Sequence, residues 1–558
     1  MHQKRAHEGA QLSAAGVCIG IIGCVIITAS SVYTALKMGA LPWPTIFTSI
    51  CALLGLRAFG RRSLNEANIT QIIMSAGSMV AGGLAFTIPG IWILGLADTA
   101  DMPKMFFVAL AGTLLGLVCC ALIRKRFVDE SDLEYPIGVA AASTLTASEV
   151  GGSSARKLTL SLGFAGIWCA LRDALGVLPS LFLQLPLAGT VALYNSPMML
   201  AVGFLMGGTA ALFWLVGVLI GPVGILNGAT FANIISADAA PDIVSSLGMG
   251  LMMGSGFGVI VKDVLPHVAS LVRRGDKSRA ASSAAGTAAN TGPATDIRSK
   301  RDAGTCALMV ALAAAVLAAG LRLSPLATVL IVLLSFVTTI MSAQSVGQTG
   351  IDPMEIFGLI VLLIVAGTTS ASDMQLFLVA GVIAVACGVG GDVMSDFKTG
   401  AIIGTNPRSM WYGQVLGTLI GCVVATLTMS ALLSAFGPAS FGPGKDFVAA
   451  QASVVAAMVS GIPSISAFVT GVVAGVILHC LNMPAMMIGL GVYLPFYLSI
   501  TGILGAGIKW IYDRVGEKKD DPQAHESTGI IVASGLIGGE SIVGVLIALV
   551  QVAAGLLG

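Results

Sequence analysis

The chain has 558 residues, of which 56% are hydrophobic and 10% charged, with a mean hydropathy of +0.92 and a formal net charge of +1. Soluble globular proteins carry about 25% charged residues, so this chain cannot clothe a soluble globule, and its balanced charge excludes a bulk field for nucleic acid or an acidic partner. Repeated apolar runs of about 20 residues specify an all-α polytopic membrane protein embedded in a lipid bilayer.

A basic segment, Met1–Ala10, precedes an apolar run from Leu12 to about Tyr33. No convincing A-x-A cleavage site follows, so the run reads as a retained first span rather than a signal peptide. Further apolar segments lie near 44–59, 69–96, 104–123, 135–150, 158–184, 197–222 and 243–271. Residues 272–303 are hydrophilic and hold seven basic side chains (Arg273, Arg274, Lys277, Arg279, Arg298, Lys300 and Arg301), which marks a flexible linker. Apolar segments resume near 304–321, 325–346, 353–369, 373–391, 409–436, 447–460, 463–481, 484–511 and 528–556. About 16–17 transmembrane or re-entrant helices are expected, in a membrane half over 1–271 and another over 304–558, with 304–321 as a candidate extra helix.

The halves resemble each other. Gly112–Gly116 (GTLLG) matches Gly417–Gly421 (GTLIG), Asn195–Met199 (NSPMM) matches Asn482–Met486 (NMPAM), and Gly250–Gly254 (GLMMG) matches Gly535–Gly539 (GLIGG). The matches recur in the same order, which points to an internal duplication. Basic residues favour an inverted second half, since inversion places Lys398, Arg408, Lys509 and Arg514 with Arg57, Arg61, Arg62 and the linker on the cytoplasmic side. All ten cysteines lie in apolar runs and read as small packing residues.

Between two apolar runs lies Gly388–Met410, GVGGDVMSDFKTGAIIGTNPRSM, where Asp392, Asp396, Lys398 and Arg408 are threaded among glycines. Charge beside a bendable backbone at a membrane edge suggests a permeation site. Asp392 and Asp396 share a helical face, with Lys398 placed to neutralise one of them. The alternative is a solvated loop with a local ion pair. Glu149 ends a small-residue segment opened by Tyr135–Pro136, and reads either as a protonatable group or as a headgroup-level carboxylate. Glu540 is the only charge from Ile530 to the C-terminus. A central charge costs roughly 2.5–3.5 kcal/mol on insertion scales, so Glu540 must face protein. Tyr493 and Tyr497 flank Pro495, and Gln344 and Gln348 share the same four-residue spacing; either pair could line a cavity or serve only packing and anchoring. His479 reads as a satisfied buried histidine. No G-x-x-x-x-G-K-[ST], H-E-x-x-H, G-x-S-x-G or metal-ligand cluster occurs, so energy would come from an ion gradient and no cofactor is expected.

At GDVMSDFKTG and NPRSM the sequence resembles the oligopeptide transporter (OPT) superfamily, and within it the branch of yellow stripe-like metal-chelate transporters and bacterial members. LEYPIGVAAAS, GVYLPFYLSITGILGAGIKW and IVASGLIGGESIVGVLIAL carry the resemblance from residue 133 to 550. It implies a secondary transporter, commonly proton-coupled, for short peptides, peptide derivatives or metal–amino-acid chelates. The NPF-type motif of the peptide-transporting branch is not evident, which weighs against a purely peptide assignment.

The expectation is a proton-driven symporter in the cytoplasmic membrane for small oligopeptides or related zwitterions, with a metal chelate as the alternative. A channel or membrane-embedded enzyme is the reading from another class. Glu149 and Glu540 are the expected coupling groups, Asp392, Asp396 and Lys398 the substrate or gate groups, and Tyr135, Gln344, Gln348, Tyr493 and Tyr497 the cavity lining. The sequence leaves room for a homo-oligomer.

Overall fold

The computed structural model describes residues 11–39, 41, 45–97, 101–131, 133–146, 152–185, 191–206, 208–259, 261–262, 300–350, 352–517 and 522–557. Glu149 and most of the basic linker lie outside the described residues, as does the side chain of Gln348. The first part of the chain forms α1 (Ala14–Met38), α2 (Thr45–Ala58), α3 (Leu64–Ala85), the short α4 (Pro89–Ile93), α5 (Met102–Arg124), α6 (Pro136–Thr146) and α7 (Gly152–Cys169). Strands β1 (Leu181–Leu185) and β2 (Val191–Tyr194) follow, then α8 (Pro197–Met206), α9 (Gly208–Val218) and α10 (Ala240–Val259). The later part forms α11 (Lys300–Ala315), α12 (Pro325–Thr349), α13 (Met354–Thr368), α14 (Asp373–Ile403) and α15 (Pro407–Phe436). It ends with α16 (Ala450–Ser460), α17 (Ile465–Cys480), α18 (Ala485–Tyr493), α19 (Phe496–Gly516) and α20 (Pro522–Leu557). Nine helical stretches among the described residues are long and apolar enough to cross a membrane. The protein is an all-α polytopic membrane protein with one small antiparallel hairpin, in which Leu181 pairs with Tyr194 and Phe182 with Leu193.

Helix α14 is the axis of the bundle. A capping box starts it: Ser372 Oγ accepts from Gln375 N, and Gln375 Oε1 accepts from Ser372 N at 3.0 Å. Gly404, at φ +87°, ends it in the left-handed region that favours glycine. Its most apolar stretch is buried on every side, against α3, α5, α6, α12 and α13. The sequence reading broke this region near Gly391 and made Gly388–Met410 a bendable stretch; the helix instead continues unbroken to Ile403. The glycines serve close approach. A Cβ on Gly388 would meet Met354 Sδ at 2.7 Å, and one on Gly391 would meet Asp352 Oδ2 at 2.9 Å. Packing from all sides overrides glycine's low helix propensity.

The GTLLG and GTLIG stretches do the same job at two crossings. A Cβ on Gly112 of α5 would meet Val382 O of α14 at 2.5 Å, and one on Gly417 of α15 would meet Ile73 O of α3 at 2.6 Å. The α12–α13 connection turns back inside the bundle. Asp352 lies at the level of Gly391, twelve residues or about 18 Å from the end of α14. Helix α11, the candidate extra helix, is the most exposed of the nine spanning stretches, with 11% of its apolar window buried.

Candidate substrate site

Helix α1 carries two of the polar elements that organise the site. Its last turn presents Lys37, and one turn earlier Thr34 shares a 2.8 Å hydrogen bond with Ser541 of α20. Beside Ser541, Glu540 is fully buried, and it is not alone. Arg172, equally buried, pairs with Glu540 Oε1 at 2.9 Å. Ser196 Oγ donates to Oε1 at 2.8 Å, and Met198 N, in the first turn of α8, donates to Oε2 at 2.8 Å. The carboxylate thus sits on a helix N-terminus, whose unsatisfied N–H groups favour an anion. Arg172 also donates to Asp173 through Nε (2.6 Å) and Nη2 (2.7 Å), and to Asn195 O at 2.5 Å. Each charge in this network meets an opposite charge or a hydrogen-bond partner, which is the condition for burying ions.

The hairpin positions the next layer. Tyr194, the last residue of β2, is held by Thr501 Oγ1, which accepts from Tyr194 N at 2.9 Å. The Arg172 guanidinium lies 5.2 Å from the Tyr194 ring centroid, and Lys37 Nζ lies 6.0 Å from it and 5.2 Å from the Phe447 ring. Tyr497 stands against Tyr194 with ring centroids 6.1 Å apart. Lys37, Tyr194 and Tyr497, together with Asp173, Ser180, Lys445 and Asp446, line a polar cavity of about 360 Å³. It holds two ammonium groups, two carboxylates and two aromatic rings. A second cavity, about 480 Å³, is lined by Thr34, Ser30, Ser31, Ile537 and Gly538 among others. Arg172, which pairs with Glu540, adjoins Asp173 and Tyr194 of the polar cavity.

A separate polar file runs along α14. Asp396 accepts from Gln71 Nε2 of α3 (2.9 Å) and Gln414 Nε2 of α15 (2.6 Å). Asp352 accepts from Ser342 Oγ at 2.8 Å. Lys398 pairs with neither aspartate of its own helix; its Nζ donates to Leu133 O at 2.8 Å. That lysine closes the segment entering α6, so the local neutralisation expected from spacing is replaced by a helix-to-loop tie.

Of the expected site residues that are described, only Tyr497 lines the polar cavity, and Glu540 connects to it through Arg172, which also pairs with the cavity's Asp173. Asp392 and Asp396 lie in the second file. Tyr135 is fully buried at φ +50°, its N–H donating to Gly347 O at 2.9 Å. Gln344 and Tyr493 are buried away from the polar cavity, Tyr493 against Gly248. Sequence reasoning missed Lys37, Arg172, Asp173, Tyr194 and Asp446. The Arg172–Asp173 doublet inside the 158–184 run was a usable signal, because charge within a span demands a partner; Tyr194 had none.

A charged cavity beside a buried ion pair inside a membrane-spanning helical bundle suits a transporter. The OPT oligopeptide transporter protein family model matches residues 11–551, and the chain belongs to this family of transporters. A putative oligopeptide transporter of Haemophilus influenzae is 24% identical over 593 residues, covering 93% of this chain and 92% of that protein. More local likenesses are to a probable metal-nicotianamine transporter, YSL16, of Oryza sativa (41% over 102 residues, 17% of this chain and 14% of that one) and to the metal-nicotianamine transporter YSL2 of Arabidopsis thaliana (39% over 102 residues, 17% and 15%).

Proposed function

We propose that the chain is a proton-driven symporter of the cytoplasmic membrane that imports small zwitterionic compounds, short oligopeptides first among them. The observation that carries this reading is the polar cavity. Lys37 and Lys445 match carboxylates, Asp173 and Asp446 match amines, and Tyr194 and Tyr497 offer faces to the backbone between. Its volume, about 360 Å³, falls within the usual range of small-molecule sites, about 300–1,000 Å³. A metal–nicotianamine chelate is the second reading, favoured by the local likeness to metal-nicotianamine transporters. The metal would then be cargo inside its ligand, and its carboxylates would meet the same lysines.

Orientation follows from charge. Asn406 N donates to Gln11 Oε1 at 2.8 Å, which brings the start of α15 to the start of α1, near Arg61 and Glu66. Lys37 is at the opposite end of α1, so basic residues inside put the polar cavity outside. Two related halves account for the twin glycine crossings, and for Gly254 meeting α17 as Gly535 meets α7. Glu540, fully paired, suits a charged latch, and Glu149, the other coupling group expected from the sequence, lies outside the described residues. A transporter reading leaves no role for an intramembrane hydrolase or an open channel.

Proteoliposomes with an imposed pH gradient, loaded with labelled trialanine or iron–nicotianamine, test the assignment. Accumulation of trialanine that stops when the gradient is collapsed is expected, with saturation that a channel would lack. Uptake of the chelate alone, uncompeted by trialanine, would move the assignment to the second reading. Uptake indifferent to the gradient would remove proton coupling.

A further inference from the structure

The two aspartates of α14 are not equivalent. Asp396 is satisfied as an anion, because both of its oxygens accept from buried amides. Asp392, one turn away and 1% exposed, has an Oδ1 with no hydrogen-bond partner among the described residues. Asp352 is seated on the neighbouring Gly391, where the bundle's internal turn delivers it, and its Oδ2 is also without a partner. Gln414, 1% exposed, gives its N–H to Asp396 and leaves Oε1 unpartnered. Asp392 Oδ1 and Asp352 Oδ2 thus lack a donor within hydrogen-bonding distance, and the unpartnered Thr339 Oγ1, Gln344 Nε2 and Tyr135 hydroxyl on the segments packed against α14 do not reach them.

No cation resolves this. Among the described residues none of the three aspartates forms an ion pair with a lysine or arginine; Lys398 is tied to Leu133 O, and Arg124 pairs with Asp129 while lying over the Phe397 ring. The ionisable neighbours of this group among the described residues include Glu355 of α13, Tyr135 ahead of α6, Cys387 of α14 itself, and Cys119 and Cys120 of α5, the last with its Sγ donating to Gly390 O at 3.6 Å. From α3 and α15 come the amides of Gln71 and Gln414, and from α12 the Ser342 hydroxyl. An ionised Asp392 would be a buried charge without a counter-charge. A proton on Oδ1 removes the charge and supplies the missing donor.

We propose that Asp392 is the carboxyl that binds and releases the coupling proton, with Asp352 as its neighbouring acceptor and Asp396 as a fixed anion. The step is one O–H bond formed at Asp392 Oδ1 with a proton from one face and broken to the other. This rests on the ion-driven symporter reading.

A hydrophobic carbodiimide forms a stable adduct with a buried protonated carboxyl and not with a carboxylate. Treatment of the purified full chain in lipid, followed by peptide mass spectrometry, is expected to label Asp392, with labelling lost at alkaline pH. Labelling at Asp396 or Glu540 with none at Asp392 would overturn the proposal. Because this experiment uses wild-type protein and no substrate, its outcome is independent of the substrate assignment and of whether variants fold. In proteoliposomes, Asp392→Asn, which mimics the protonated side chain, is expected to keep exchange of trialanine or iron–nicotianamine and to lose gradient-driven accumulation at least tenfold. Accumulation within twofold of wild type would also overturn it. Wild-type failure to transport either probe would reject the symporter reading, while the labelling would still decide Asp392.

Discussion

The Glu540 network and the Asp392 file are both buried carboxylate sites in a lipid-embedded bundle, yet they solve the burial problem in opposite ways. Glu540 is surrounded by donors: Arg172, Ser196 Oγ and the N–H of Met198. Asp392 has an Oδ1 with no partner among the described residues and shares its stretch of the bundle with two other acids, Asp396 of α14 and Asp352 against Gly391. A fully paired carboxylate resists change of charge and suits a latch, whereas an under-donated one welcomes a proton. Chemical type alone does not set the role of an intramembrane acid; the count of donors around it does.

Breaking the paired site carries the largest expected cost. Arg172→Ala leaves Glu540 and Asp173 without their guanidinium, and removing one partner of a buried pair costs about 3–5 kcal/mol. Thermal unfolding in detergent should show a large fall in Tm, and Arg172→Met combined with Glu540→Gln should recover much of it, since the fully buried charge is then gone and only the partly exposed Asp173, which faces the polar cavity, lacks its guanidinium. Equal destabilisation by the single and double variants would mean that the network's worth is packing.

The α14 file sharpens the contrast. Asp396→Ala leaves two buried amide donors unsatisfied, at about 1–3 kcal/mol per orphaned group. Asp392→Asn strands nothing and should shift stability by less than about 1 kcal/mol. If unfolding midpoints rank these two variants the other way, the distinction between fixed anion and proton carrier collapses.

Why part of this arrangement was legible in the sequence, and part not, follows from the range of the contacts. Composition fixes the bilayer, and an isolated charge in an apolar run exposes Glu540 as buried, because the cost of a lone charge in oil is independent of topology; Asp392 and Asp396, in a stretch that also allowed a solvated loop, are buried as well. Partners are another matter. Glu540 meets Ser196 across 344 positions and Asp396 meets Gln71 across 325, so no local pattern announces either contact. Glycine spacing misled for a related reason. Gly388, Gly390 and Gly391 read as bends, but their lack of side chains is used by Met354, Thr339 and Asp352 on neighbouring helices. The hairpin that carries Tyr194 falls mostly between the 158–184 and 197–222 segments, in a stretch too short for periodicity to mark as strand.

The polar cavity separates its two lysines in the same spirit. Lys37 is half-buried among the rings of Tyr33, Tyr194 and Phe447, whereas Lys445 is exposed at the rim. Lys37→Met keeps the apolar stem and removes the ammonium; losing a charged hydrogen bond to substrate, about 1.5–3 kcal/mol, should raise KM roughly tenfold or more with little change in Tm. Lys445→Ala should raise KM by about twofold, since exposed charge pairs contribute about 0–1 kcal/mol. Ionic strength then separates them: at 1 M salt the Debye length falls to about 3 Å, which silences the rim charge and leaves the enclosed one. The KM ratio of Lys445→Ala to wild type should approach one in high salt, while that of Lys37→Met persists. Identical salt dependence for both would place Lys37 in open water and remove it from the binding surface.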